Sequence, residues 1–156
     1  MAIKAIPEGQ HSITPYLCIQ DAHKAIDFYK AAFGAVEMFR LDGPDGRVGH
    51  AELKIGDSTL MLAEPCDQGG QIASQAQKDG VAVGLHLYVD DADAVYAQAL
   101  KAGARSLRAP QDQFYGDRSS SVKDPYGNLW YISTHIEDLS PEEIRTRAAA
   151  MFSGQG

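Results

Sequence analysis

The chain has 156 residues, 14 Lys and Arg against 21 Asp and Glu (formal net charge −7), and 44% hydrophobic residues. That length predicts a single domain, 1–156, with a core of its own, and the apolar content excludes intrinsic disorder. The acidic balance, with a sequence pI near 5.1, argues against nucleic acid or an anionic membrane as partner, since both attract cationic surfaces.

Residues 12–20 (SITPYLCIQ) alternate. Ile13, Leu17 and Ile19 fall on one face and Ser12, Thr14, Tyr16 and Cys18 on the other, which predicts a half-buried strand that Pro15 moves towards an edge or an end. Asp21 stands where the N-cap of a helix belongs, before a stripe of Ala22, Ala25, Ile26, Tyr29 and Phe33 closed by Gly34. Strands follow at about 36–41, 48–55 and 58–64, separated by the turn GPDG (43–46) and a tight hairpin at Gly56-Asp57. Residues 65–80, rich in Gln and Gly, read as a linker. A strand over 83–89 comes next, then a helix capped by Asp91 and stopped by Gly103, with Ala92, Val95, Tyr96 and Ala99 as its stripe. Strands near 105–109, 118–123 and 128–134 complete this half, the last two joined by DPYGN (124–128). A terminal helix over about 140–152 has Ser140 as N-cap, Pro141 at its first position and Glu143 completing a capping box. Ile144, Ala148 and Met151 would dock it on the body or on a partner chain.

The two halves repeat. Leu17 falls on Leu87, Ile19 on Val89, Asp21 on Asp91 and Ala22 on Ala92, all 70 residues apart, and Leu60, Met61 and Leu62 fall on Trp130, Tyr131 and Ile132 at the same offset. The expected fold class is therefore α+β, with two tandem βαβββ modules (about 10–64 and about 81–135) and a C-terminal helix. Cys18 and Cys66 lack CxxC spacing and fit a reducing compartment. The N-terminal MAIKAIPEGQHS lacks the apolar run of a secretory signal, and no stretch approaches the ~18 apolar residues of a membrane span. A cytoplasmic protein is expected.

ITPYL (13–17), AIDFYKAAFGA (25–35), GHAELKIGDSTLML (49–62), LHLYVDD (85–91) and DPYGNLWYISTH (124–135), followed by EDLSPEE (137–143), resemble the vicinal-oxygen-chelate superfamily of glyoxalases, bleomycin-resistance proteins and dioxygenases, and within it the PhnB-like branch. The resemblance implies that the modules form a U-shaped mixed sheet with helices outside, a concave small-molecule cavity and a homodimeric assembly. In the metal-dependent members four His, Gln or Glu ligands come from the first and last strands of each half. The matching positions here are Thr14, Gly84, Met61 and Tyr131. None keeps that ligand chemistry, because glycine has no donor and a thioether suits a hard cation poorly. No metal or other cofactor is expected at the usual site.

Alternation assigns the cavity lining instead. His50, Glu52 and Lys54 share one face of their strand, His86 and Tyr88 lie beside Gly84, and Tyr131 and Ser133 share a face of the last strand; Thr14, Tyr16, Thr59 and Met61 complete the lining. A displaced divalent-metal site from His50, Glu52 and His86 is one use of these groups, and hydrogen bonding within a polar sheet surface is the other. Glu52, with His50, is a candidate general base; its alternative is pairing with Lys54 or Arg118. Tyr16, Tyr88, Tyr115 and Tyr131 can stack on a planar ligand, or else cap a sheet or an interface. The loop 111–120 (QDQFYGDRSS) reads as a lid with Arg118 as an anion contact, or as a solvated surface loop. His11, His23 and His135 read as surface histidines, and Met38 and Trp130 as core. Two functions remain open on this reading: a metal-independent small-molecule binder, or a lyase, isomerase or dioxygenase-like enzyme using the His50–Glu52 region.

Overall fold

The computed structural model describes residues 3, 5, 6, 8–65 and 83–153. Contacts within the chain divide it into two compact units, Met1–Ala82 and Val83–Gly156. The first holds β1 (Tyr16–Cys18), α1 (Ala22–Phe33), β2 (Val36–Asp42), β3 (Val48–Ile55) and β4 (Ser58–Ala63). The second holds β5 (Gly84–Tyr88), α2 (Ala92–Ala102), β6 (Arg105–Asp112), β7 (Asp117–Lys123), β8 (Leu129–His135) and α3 (Pro141–Ser153). Each unit has one four-stranded sheet, in the orders β1-β4-β3-β2 and β5-β8-β7-β6. In both, the first strand runs parallel to the last and the other pairs are antiparallel. The duplication extends to register, since Tyr16 pairs with Met61 and, 70 residues on, His86 pairs with Tyr131. The α+β class, the two βαβββ modules and the terminal helix stand as expected. The expected linker, apart from Pro65, lies outside the described residues.

Alternation decides which face of each sheet is covered. Along β3, Ala51, Leu53 and Ile55 are buried while His50, Glu52 and Lys54 are half-exposed. The buried set meets Ala22, Ala25, Ile26 and Tyr29 of α1 in a core that also takes Leu60 and Leu62. Full burial of a side chain such as Leu53 or Ile26 contributes about 1.5–3 kcal/mol. Helix α1 stops where Gly34 enters the left-handed region (φ 66°) and returns its N–H to the Lys30 carbonyl. In the second unit α2 packs on β6, β7 and β8, over buried Val122, Trp130 and Ile132. Among the described residues no helix is long and apolar enough to cross a membrane.

Four local expectations are corrected. Strand β1 has only three residues, and Ile13, expected on the packed face, is 86% exposed; Pro15 has no N–H to extend the ladder. Asp21 does not cap α1 with its side chain. It adopts the left-handed conformation (φ 57°, ψ 49°), because its N–H turns to Glu64 Oε1 at 3.1 Å while Glu64 Oε2 accepts the Val48 N–H. Its counterpart Asp91 is extended and caps α2 as expected, accepting from the Ala94 N–H at 3.1 Å. Met38, expected in the core, is 59% exposed because it is the extra residue of a bulge between Glu37 and Phe39. Ser140 does cap α3, accepting from the Glu143 N–H, and Ile144 and Ala148 are not buried as docking residues would be, while Met151 is 50% exposed.

Candidate functional site

In the first unit one register row crosses the sheet face opposite α1: Tyr16 on β1, Met61 on β4, Glu52 on β3 and Phe39 on β2. His50 is two residues from Glu52 and on the same face. The three polar groups form a chain, with the Tyr16 hydroxyl 2.7 Å from His50 Nδ1 and His50 Nε2 3.3 Å from Glu52 Oε1. A carboxylate only accepts, so Nε2 carries the imidazole proton and Nδ1 accepts from the phenol. Burial pushes the Tyr16 phenol above its ordinary value, with neighbouring Cys18 and the Glu52 carboxylate adding to it. Tyr16 is thus kept protonated, a hydrogen-bond donor backed by an imidazole and a carboxylate. Thr14 lies just before β1 and is half-buried, as is Met61.

The second unit presents a different set from the same topology. His86 and Tyr88 leave β5 side by side, their rings stacked at 4.6 Å, and Tyr131 lies 5.8 Å from His86. Tyr88 pairs in register with Ser133, which pairs with Ser119, so its phenol crosses two strands of small residues to donate to Asp117 Oδ2 at 2.8 Å. Ser133 donates to Ser119 beneath it. Asp117 is buried and also meets His135 Nδ1 at 2.9 Å, while His135 Nε2 meets Asp138 at 2.8 Å. The bond to Asp117 holds the Tyr88 phenol above its usual value, with burial and the charge of Asp117 adding to it. In the turn before β7, Tyr115 has its ring edge-on to Phe114 at 5.2 Å.

His135 is not an idle surface histidine. Its hydrogen bonds to Asp117 and then Asp138 raise it above the ordinary histidine value. A raised folded-state pKa stabilises the fold fully below the unfolded value of about 6.5, and that stabilisation is lost as pH climbs through the folded value. Urea unfolding at pH steps from 5.5 to 8.5 should show wild type losing stability relative to His135→Gln as pH rises. Parallel profiles would show that the pair does not couple folding to protonation. Neither Asp117 nor His135 was legible as a site residue. The available signal was parity, since Asp117, Ser119 and Ser121 alternate opposite His135, Ser133 and Tyr131.

Arg118 is not brought to this face. It pairs in register with Thr134, whose hydroxyl accepts from the Ala92 N–H of α2. On that side its Nε and Nη2 grip both oxygens of Asp93, at 2.8 and 3.1 Å, and Nη1 meets Asp112 at 3.0 Å. Glu52 pairs with His50 rather than with Arg118 or Lys54. His50 and Glu52 belong to the first unit and His86 to the second.

The model of the glyoxalase/bleomycin resistance protein/dioxygenase superfamily matches residues 9–132. The chain belongs to that superfamily. An uncharacterized protein of Mycobacterium bovis is 40% identical to this superfamily member over 158 residues, covering 100% of this chain and 99% of its own length. The crystal structure of TioX from Micromonospora sp. ML1 is similar, with a TM-score of 0.65 and 25% identity over 81% of this chain and 99% of that one. The structure of an Arabidopsis thaliana gene product, At5g48480, has a TM-score of 0.60 and 26% identity over 79% of this chain and 98% of that one.

Four positions match the superfamily's metal ligands by resemblance. Gly84 lies in β5 opposite Leu129 with no donor beyond its backbone, Met61 brings a thioether between Tyr16 and Glu52, and the remaining positions carry the hydroxyl of Thr14 and the phenol of Tyr131. That set lacks the imidazole and carboxylate donors a divalent ion takes.

Proposed function

We propose that this superfamily member binds a small polar or aromatic compound on the uncovered sheet faces of its modules, without the superfamily's usual metal. The observation that carries the reading is the second unit's face, where the rings of His86, Tyr88 and Tyr131 lie together over a hydrogen-bonded floor of Ser119, Ser133 and Asp117. Accessible aromatic rings with fixed polar tips are what a planar, partly polar ligand needs. Placement in the PhnB-like branch, from the phrases at 13–17 and 124–135, and in the cytoplasm, from two cysteines without CxxC spacing, belongs to the same proposal. So does a homodimer, supported by the exposed Val36, Met38 and Leu41 of edge strand β2. Sedimentation should then give about twice the 16.8 kDa chain mass, and a monomer at working concentration rejects the dimer.

The reading is tested by thermal stabilisation with a library of small organic compounds. A ligand at 100 times its dissociation constant stabilises by about 2.7 kcal/mol, on the order of 5–10 °C here. Hits should fade in Tyr131→Ala. A library without hits, or stoichiometric Zn, Ni, Mn or Fe that is lost in His50→Ala, would overturn it.

A second reading, an acid–base enzyme, is favoured by the Tyr16–His50–Glu52 chain. There His50, oriented by Glu52, would take the Tyr16 proton at Nδ1, and the phenolate oxygen so formed would take a proton from a bound compound. Turnover of any screened hit that falls at least about 100-fold in Tyr16→Phe would favour this reading.

A further inference from the structure

In β6 the sheet register shifts twice. Ser106 pairs with Val122, and its hydroxyl receives the Tyr96 hydroxyl of α2 at 2.6 Å, so it lies on the helix side. The next pair is Arg108 with Ser121: two steps along β6 answer one step along β7. Leu107 is the extra residue, and the bulge reverses the facing of the strand beyond it. Arg108 is thereby turned from the helix side to the face that carries Ser121, Tyr131 and His86, in a single register row with them. The first module has the same bulge at Met38, and there the corresponding row ends in Phe39.

Arg108 brings an unusual group to that row. Its Nε and Nη2 atoms are buried and have no hydrogen-bond partner among the described residues. Buried donors of a charged group without partners are costly, and folded proteins rarely keep them unless something else takes the bonds. Those two nitrogens are the adjacent pair on one edge of the guanidinium, the edge that meets two oxygens of one oxyanion. Arg118 uses the same pair on Asp93. The fork is therefore complete in Arg118, and in Arg108 its two nitrogens have no partner among the described residues.

We propose that Arg108 is the anion-recognising residue of the second module, receiving the carboxylate or phosphate oxygens of a ligand whose planar part lies against Tyr131 and His86. The proposal rests on the small-molecule binding proposed for this face and narrows its ligand to an organic oxyanion. The acidic chain gives this point a selective role, since an anion is repelled by a net charge of −7 except where such a fork meets it.

The test is calorimetric titration of the full chain with benzoate, phenyl phosphate and neutral benzamide, on wild type, Arg108→Gln and Arg108→Lys. At least one of the two anions should bind wild type tenfold or more tightly than benzamide, and the tighter of them names the oxyanion. Arg108→Gln should remove that preference while leaving benzamide unchanged, and Arg108→Lys should restore only part of it, since an ammonium cannot form the fork. Without ligand, Arg108→Gln should melt at or above wild type, because neither buried nitrogen has a partner among the described residues to lose. Benzamide binding as tightly as both anions overturns the anion role and leaves the binding reading standing. Failure of all three probes to bind overturns both, and a lower melting temperature of Arg108→Gln would mark Arg108 as a structural residue and overturn the proposal.

Discussion

Asp124→Ala is expected to lower the unfolding free energy by about 3–5 kcal/mol and the melting temperature by on the order of 10 °C. Asp124 is buried in the turn between β7 and β8. One carboxylate oxygen accepts from the Tyr126 and Asn128 N–H groups, each at 2.9 Å, and the other accepts from Trp130 Nε1 at 2.9 Å. Hydrogen bonds to a charged acceptor contribute about 1.5–3 kcal/mol each, and removal strands donors that water cannot reach. The sum is discounted because the three bonds share one group. Asp124→Asn keeps one acceptor oxygen and should cost about half as much. Urea denaturation checks both, and an alanine variant within about 1 kcal/mol of wild type would show that the carboxylate does not hold the turn. The consequence reaches the site, because this hairpin sets the register that places Ser121 opposite Tyr131.

The residues that obey strict periodicity were the ones whose places could be read from sequence. The alternation of His50–Ile55, the offset of 70 and the turn residues at 124–128 all come from local rules, and the sheets obey them. His50, Glu52, His86, Tyr88 and Tyr131 were legible for the same reason: each lies in a stretch whose own alternation is unbroken, His50–Ile55 in β3 and the paired lengths of β5 and β8. Features that depend on a break in period or on a distant partner escaped. A one-residue bulge moved Met38 out of the core and turned Arg108 to the other face, and no spacing rule announces where a bulge will fall. Local composition puts Arg118 in a lid or a solvated surface loop, but strand β7 begins at Asp117, and parity then sends Arg118 towards α2. The conformation of Asp21 depends on Glu64, 43 residues away, and the role of His135 depends on the buried Asp117, 18 residues away. Such pairings are tertiary, and they are where strain and perturbed titration collect.

Gly116→Ala is expected to cost about 2–5 kcal/mol, and the reason joins the fold to the site. Gly116 has φ of 96°, a region that costs an L-residue about 1–2 kcal/mol. A Cβ there would stand 2.6 Å from the Glu137 carbonyl oxygen, so the backbone itself would have to move, adding about 1–3 kcal/mol. That backbone is tied in place: the Gly116 carbonyl accepts from the N–H groups of Ile136 and Glu137, at 2.9 and 3.0 Å. Glu137 in turn takes both arms of Arg147 from α3, and the same guanidinium reaches the Phe114 carbonyl at 3.3 Å. The turn carrying Tyr115 is thereby fixed to the segment after β8 and to the terminal helix, which gives α3 a function although none of its described residues is buried. Gly116→Asn separates the two costs. Asparagine tolerates a positive φ but brings the same Cβ, so a variant as unstable as alanine shows that the close approach dominates, and a near-native one shows that the backbone conformation does. Loss of near-ultraviolet dichroism from the aromatic rings should accompany the alanine change, because Phe114 and Tyr115, edge-on to one another at 5.2 Å, lie in the turn that shifts. An alanine variant with wild-type stability and an unchanged aromatic spectrum would mean that the turn moves freely, and Tyr115 would then have no fixed place to offer a ligand.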